Sequence, residues 1–425
     1  MLLPVPNTSR LQGVIQLPAS KSYSIRAFFV AACGGDSRIL GPSDCDDAKA
    51  AMAIARSLGA EVEGIDGGFR IQVPRDNIRR DQLKIDVNES GTSLRFLLPL
   101  LPFYCRTARV LGRGTLLGRP NRHLLESLRR CGMAIAGDGP QESIPISYHG
   151  GELPGGKVEV DGSVSSQFIS ALLIACPRSA NNTRLLVKGK SLVSREYITM
   201  TRQILERAGI RVLARSQREF VIAGGQVFKG LRTFRVPSDW GLAAFFLVAA
   251  ALVQSDIQLK GYFDDSLVQS DGAILDLLRR MGLRLNRTAR SLRVRGPVLL
   301  KGGTFSLKDS PDLVPIMAVA AMFARGETRL KDIAHARVKE SDRIGDLRRE
   351  LCKVGADIVE KPDELVIRPK SSYLGGVELD PHRDHRLAMA FAVLGLRVGV
   401  SIRDMECTAK SYPGFVKDFQ SLSRV

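Results

Sequence analysis

The chain has a single tryptophan, and aromatic residues make up only 6% of it. So sparse a set, with no interleaving of basic and aromatic side chains, offers no platform for stacking bases. Its seven cysteines, at 33, 45, 105, 131, 176, 352 and 407, are never closer than a dozen residues. That spacing excludes a CxxC redox pair and a zinc knuckle, and the odd count argues against a disulfide framework; reduced thiols in a cytoplasmic protein are expected. Long apolar runs are missing too. The longest, around 241–253 and 313–324, fall short of a bilayer span and read as buried helices. The amino-terminal MLLPVPNTSR has no basic segment leading into an apolar core, so no signal peptide is expected. No HExxH, P-loop or GxGxxG stands in the strand-to-helix setting it needs, which leaves metalloprotease, NTPase and dinucleotide readings unsupported.

What is in excess is positive charge. Lys+Arg number 62 against 44 Asp+Glu, a net +18, and arginine outnumbers lysine by more than two to one. Such a balance suits an anionic partner, whether nucleic acid, a membrane surface or phosphorylated substrates, although a basic surface also serves solubility. A length of 425 residues with 44% hydrophobic composition predicts a globular protein of two or three domains.

One unit recurs six times, at intervals of roughly seventy residues. Each copy opens with a short alternating strand and a small-polar turn, then an almost wholly apolar helix: 24–33, 93–102, 165–176, 241–252, 312–324 and 385–396. A second strand, a loop and an amphipathic helix follow, the latter beginning near Asp46, Pro120, Ser194, Ser266, Lys339 and Tyr412. In the first five copies that helix ends on Gly59, Gly132, Gly209, Gly282 or Gly355, the residue a left-handed C-cap favours. A helix apolar on every side must be covered on every side. The units are therefore expected to pack with first helices inward and sheets outward, three to a domain, with the join near 232–239. The strand 11–17 lacks local partners and is expected to pair with the far end of the chain.

Out-of-place polar residues gather where these helices begin. Lys21, Ser22 and Arg26 open copy one; Asn88 to Thr92 and Arg95 open copy two, whose second helix is announced by Gly118-Arg119-Pro120 with proline at the first helical position. Copy three has Asp161 to Gln167, then Ser194 and Tyr197. Copy five has Asp312 and the run Lys339-Glu340-Ser341-Asp342-Arg343; copy six has Asp384-His385-Arg386 and Lys410; copy four has no charged cluster. Helix N-termini expose unpaired N–H groups and partial positive charge, so such a set suits anions. Each serine or aspartate alone is an ordinary cap, and Lys339 with Arg343 could be a solvated helix face paired through Glu340. A charged pair at His385-Arg386, opening an apolar helix, points instead to use.

The segments LPASKSYSIRA, NESGTSLR, GRP, DGSVSSQF, SREY, RVKESDR, DHR and CTAK run in order from Leu17 to Lys410. Taken together they make the chain resemble the 5-enolpyruvylshikimate-3-phosphate synthase family, over essentially its whole length. The resemblance implies an α/β fold of two inverse α/β domains, each built from three βαβαββ units with buried helices and outward sheets. It implies one domain of residues 1–18 with 238–425 (repeats four to six and the N-terminal strand), an inserted domain of 19–237 (repeats one to three), and an active site in the cleft between them. The implied reaction moves the enolpyruvyl group of phosphoenolpyruvate to the 5-hydroxyl of shikimate 3-phosphate through a tetrahedral ketal, releasing phosphate.

Carried over position by position, the resemblance assigns Lys21, Ser22, Arg26, Ser165, Ser166, Gln167, Ser194, Tyr197, Asp312 and Lys339 to shikimate 3-phosphate. It assigns Lys21, Gly91, Arg119, Gln167, Arg343, Arg386 and Lys410 to phosphoenolpyruvate, and the catalytic roles to Asp312, Glu340 and Lys21. Gly91 suits a backbone that must approach a phosphate closely, and cations crowding Lys21 could lower its pKa. No metal or organic cofactor is implied, nor nucleic acid or membrane as partner; a cytoplasmic monomer acting on two small molecules is expected. Departures from the family pattern stand at Ile25, Phe96, His335 and the turn Ser238-Asp239-Trp240-Gly241. Two alternatives remain. One is the sister transferase acting on UDP-N-acetylglucosamine, which commonly carries a cysteine in a loop where residues 112–118 have none. The other is an RNA 3′-phosphate-processing or RNA-binding protein built on the same repeat.

Overall fold

The computed structural model describes residues 1–8, 10–74 and 79–423. The chain divides into two compact units, an inserted one of Ala19–Val236 and a discontinuous one of Met1–Pro18 with Pro237–Val425. The inserted unit holds α1 (Lys21–Ala32), α2 (Asp46–Ser57), α3 (Gly91–Leu97), α4 (Arg122–Arg130), α5 (Ser166–Ala175) and α6 (Arg195–Arg207). The discontinuous unit holds α7 (Trp240–Leu252), α8 (Ile274–Arg280), α9 (Val314–Met322), α10 (Gly345–Lys353), α11 (His385–Val398) and α12 (Phe415–Ser421). The first helix of every copy (α1, α3, α5, α7, α9, α11) is buried along nearly its whole length, as its apolar composition requires. The second helices bury one face only.

Among the described residues each unit carries three sheets; five of the six share one four-stranded order, and the copy-six sheet has three strands. In copy three, Gly156–Asp161 runs parallel to Thr183–Lys188, whose other edge takes Glu219–Ile222 antiparallel, and Val212–Ser216 completes the hairpin. Two strands are traded between copies. Arg10–Gln16 pairs in parallel with Gln254–Lys260 of copy four, and Arg232–Arg235 pairs in parallel with Asp36–Leu40 of copy one. The strand that opens copy one thus finds its partner in mid-chain and not at the far end. The far end takes the shorter Leu3–Val5, antiparallel to Val400–Ile402. The cause is connectivity: the chain passes from one unit to the other just after each traded strand, leaving that strand in the unit it is about to quit.

Several helix starts differ from expectation, each for a local reason. The copy-two helix tightens to 3-10 over Leu98–Phe103, where Pro99 and Pro102 lack the amide donors an α-helix uses. α4 begins at Arg122 with Asn121 at its cap, so Pro120 precedes the cap instead of occupying the first helical position. α8 follows a 3-10 turn at Ser270–Ala273 and starts well after Ser266. α10 begins at Gly345, not near Lys339, because the Asp342 carboxylate accepts from the backbone N–H groups of Ile344 and Gly345 at 3.1 and 3.0 Å. Lys339, Glu340 and Arg343 therefore lie on an irregular segment ahead of the helix. All seven cysteines are free thiols. Among the described residues no helix is long and apolar enough to cross a membrane.

Candidate functional site

In the inserted unit, α3 and α5 start side by side: Gln167 donates from Nε2 to the Thr92 hydroxyl at 2.9 Å and accepts from Arg95 Nη1 at 2.5 Å. Arg95 also donates to the Asn121 side chain at 3.3 Å and the Pro120 carbonyl at 3.1 Å, which fixes the approach to α4. Arg119, just upstream, is buried, and its guanidinium lies over Gly91 so closely that a Cβ there would stand 2.8 Å from Nη1. Glycine at 91 thus lets the Arg119 guanidinium sit where it does, a more specific reason than general backbone approach to a phosphate.

Ser165 caps α5, accepting from the Gln167 N–H at 3.2 Å, and Ser166 follows it, buried. Ser194 precedes α6 with φ 55° and ψ 43°, and its hydroxyl makes no capping bond. Left-handed backbone at a serine costs on the order of 1 kcal/mol, and the usual reason for a serine before a helix is absent here. Arg26 is buried between α1 and α6. It donates to Thr201 Oγ1 at 2.9 Å and to the carbonyls of Ser22 and Tyr197 at 3.0 and 3.1 Å, and stacks on the Phe96 and Tyr197 rings. Phe96, a departure from the family pattern, thus serves as a face for this cation. Burial pulls the Arg26 guanidinium down to about 10, with Tyr197 and Tyr23 opposing. Lys21 pairs with the buried Asp47 carboxylate at 3.1 Å. Ile25 is plain core.

The discontinuous unit is built differently. Arg343, 1% exposed, is clasped by three carboxylates: Asp312 at 2.6 Å, Asp384 at 2.7 Å and Glu340 at 2.9 Å. The pair with Glu340 that could have marked a solvated helix is therefore made in the interior. Burial works against the charge on Arg343, and Asp384, Asp312 and Glu340 more than restore it, raising its pKa well above the ordinary value. Asp384 also caps α11, accepting from the Arg386 N–H at 2.8 Å, and takes the Ser341 hydroxyl at 3.1 Å. One carboxylate thereby ties the RVKESDR and DHR segments together. Burial alone would raise the Asp312 carboxyl, but Arg343 and Arg386, with Lys339, hold it well below the usual carboxylate range. Arg386 donates to the Gly241 carbonyl at 2.9 Å and faces Asp271 and Asp312 at 3.4 Å each. The starts of α7, α9 and α11 accordingly converge on Arg386.

His335 is buried beside Lys339 and Asp312. Burial first, and Lys339 second, push it down to about 3, so its imidazole is neutral at ordinary pH. Lys410, itself buried, ends the 3-10 turn Met405–Lys410, which packs on α11. The sequence reading missed Asp271 and left Asp384 without a role. It also found no charged cluster in copy four, yet Asp239 caps α7 at 3.1 Å and Asp271 faces Arg386. A lone Asp in a turn carries no periodic or motif signal, and only the meeting of three helix starts reveals it. Among the described residues no group of three His, Cys, Asp or Glu side chains is placed to hold a metal ion.

A family model for EPSP synthase (3-phosphoshikimate 1-carboxyvinyltransferase) matches residues 5–419. The chain belongs to the EPSP synthase family. Its relatives include a 3-phosphoshikimate 1-carboxyvinyltransferase of Methanosarcina mazei, 37% identical over 420 residues, which are 97% of this chain and 96% of that protein. One of the same description from Korarchaeum cryptofilum is 36% identical, covering 97% of each chain. The solved EPSP synthase of Acinetobacter baumannii superposes with a TM-score of 0.78 at 26% identity, covering 99% of this chain and 98% of that one. Membership in the EPSP synthase family makes the chain a transferase of the two-domain α/β fold, and these matches do not favour the UDP-N-acetylglucosamine or RNA-processing alternatives.

Proposed function

We propose that this EPSP synthase family member transfers the enolpyruvyl group of phosphoenolpyruvate to the 5-hydroxyl of shikimate 3-phosphate, releasing phosphate, in the shikimate route to aromatic amino acids. The observation that carries the reading is a difference in build between the two units. One sets the buried Arg26 among a hydroxyl and two carbonyls; the other sets Arg343 among three carboxylates. A dianionic phosphate suits the first, because Arg26, Lys21 and the hydroxyls of Ser22, Ser165, Ser166 and Ser194 are donors, with Gln167 and Tyr197 beside them. The proton transfers suit the second. Addition needs a base for the acceptor hydroxyl and an acid for the methylene carbon; elimination needs a base to take a proton back.

In this scheme Asp312, kept ionised by two arginines, holds and polarises the 5-hydroxyl, with Lys339 beside it. Glu340, bonded to Arg343 at 2.9 Å, serves the methylene carbon, and Lys21 is the second proton-transfer group. Arg119, Arg343, Arg386 and Lys410, with Gly91 leaving room for Arg119, supply the charges that hold the donor and receive the departing phosphate. The reading requires residues of both units to act on one pair of substrates. We extend it to a cytoplasmic monomer without metal or organic cofactor.

The test is phosphate release from phosphoenolpyruvate, measured with shikimate 3-phosphate and separately with UDP-N-acetylglucosamine. Release with the first acceptor alone is expected; folded protein that releases none with it contradicts the proposal.

A further inference from the structure

We propose that Asp271 and Gly241 together form a seat that aims the Arg386 guanidinium, making Asp271 a positioning residue for the anionic enolpyruvyl donor; this rests on the function proposed above. The geometry is specific. Arg386 Nη1 donates to the Gly241 carbonyl at 2.9 Å, and Nη2 faces Asp271 Oδ2 at 3.4 Å. A Cβ on Gly241 would stand 2.2 Å from that Asp271 oxygen and 2.7 Å from Arg386 Nη1. Any side chain at 241 would therefore force one member of the pair to shift. The glycine is needed for space, since its φ is not in the left-handed region.

Asp271 is itself fixed from outside. Its turn is tied to the start of α7, where Gln269 donates to the Ser238 carbonyl at 2.9 Å and accepts from the Trp240 N–H at 3.2 Å. On the other side the Ser310 hydroxyl donates to the Ser270 carbonyl at 2.7 Å, and the Ser270 hydroxyl bonds to the Asp309 carbonyl. Asp271 is 6% exposed, and its second oxygen, Oδ1, is buried with no hydrogen-bond partner among the described residues. A carboxylate braced by two turns, with one oxygen on an arginine and the other unused, is expensive to keep for stability alone.

A contrast with Arg343 shows what the seat is for. Arg343 makes carboxylate contacts of 2.6 to 2.9 Å with three acids, whereas Arg386 meets its two at 3.4 Å. The first is locked in place by its acids; the second is anchored on the Gly241 carbonyl and meets Asp271 and Asp312 only at longer range, so an incoming anion can compete with them for Nη2. Burial pushes the Asp271 carboxyl up to about 7; Arg386 on α11 and Arg343 oppose the rise, and Asp312 before α9 and Asp239 at the α7 cap add to it. When an anion engages Arg386, that arginine's hold on Asp271 weakens and a new negative charge arrives nearby. Both changes favour the protonated acid. Donor binding is thus coupled to proton uptake at Asp271, and affinity falls as pH rises through neutrality.

Steady-state kinetics from about pH 6 to about pH 8.5 separate the parts. Asp271→Ala should raise KM for phosphoenolpyruvate about tenfold, equivalent to about 1.4 kcal/mol, with kcat within a few-fold and KM for shikimate 3-phosphate unchanged. Gly241→Ala should do the same. Asp271→Asn keeps the shape and should restore a wild-type KM at the acid end while losing the seat's share of the rise with pH. A second readout needs no turnover. Trp240, the sole tryptophan, sits beside Gly241, and its fluorescence can follow titration with sulfate, whose charge is constant over this range. Sulfate affinity should fall with rising pH in the wild type, stay flat in Asp271→Asn and be lower throughout in Asp271→Ala. If the wild type fails to turn over, the functional proposal falls and the sulfate titration still decides the seat. An Asp271→Ala protein with wild-type KM and wild-type sulfate affinity overturns the inference.

Discussion

The two units solve the same packing problem alike and the electrostatic problem in opposite ways. In each, three buried helices run together, and an arginine closes the end where their carbonyls emerge. Arg178 donates to the Cys33 carbonyl at 2.8 Å and lies over the Tyr104 ring; Arg397 donates to the Leu252 carbonyl at 2.8 Å and lies over Phe323. A cation there meets the negative ends of the helix dipoles in both units. At the opposite end the units diverge. Arg26 is held by a hydroxyl, two carbonyls and two rings, with no carboxylate among its hydrogen-bond partners in the described residues; Arg343 is surrounded by three. A buried cation solvated by neutral groups keeps its attraction for an outside anion, and its pKa falls. A cation set among carboxylates keeps less of that attraction, and it also fixes the positions and charge states of the acids. The first arrangement suits binding a phosphate and the second suits moving protons.

The largest effect should come from removing the acid that joins two segments of the discontinuous unit. Asp384→Ala deletes a buried partner of Arg343 and the α11 cap together, and should destabilise the protein by about 3–5 kcal/mol. Denaturant unfolding measures it; a loss under about 1 kcal/mol would show that Asp312 and Glu340 suffice to hold Arg343.

The next effect is on pH. His335 accepts its proton near 3 in the folded chain, whereas an unfolded histidine accepts it near 6.5. The unfolded state therefore binds the extra proton first, and stability is lost as pH falls from about 6.5 towards 3, by up to roughly 4 kcal/mol. His335→Asn should flatten that part of the acid profile, and an unaltered profile would show that other groups carry it.

A smaller effect sharpens the other face. Gly91→Ala pushes a methyl group against Arg119 and should raise KM for phosphoenolpyruvate about tenfold, or about 1.4 kcal/mol, leaving KM for shikimate 3-phosphate alone. An unchanged donor KM would remove Arg119 from the donor's ligands.

Much of this organisation can be read in the sequence, because the repeat is written in it. Helices apolar on all sides, glycine C-caps and polar residues at helix starts are local, periodic signals. They lead to three units per domain and to residues that do gather, such as Gln167 with Thr92 and Arg386 with Asp312. What escapes depends on three-dimensional exchange. The trading of Arg10–Gln16 for Arg232–Arg235 leaves no mark in either strand's composition. Asp342 delays to Gly345 a helix that RVKESDR would otherwise open, because its side chain takes two backbone N–H groups. Asp271 and Gly241 acquire meaning only when three helix starts meet. The reason for Gly91 is likewise visible only once Arg119 is placed above it.

The division of labour between the faces is tested most directly by calorimetric titration of shikimate 3-phosphate into Glu340→Gln, with turnover measured on the same sample. The account predicts kcat lowered by about 10²–10⁴, with shikimate 3-phosphate bound within a few-fold of the wild-type affinity. Binding lost in step with turnover, or turnover surviving within a few-fold, would contradict it.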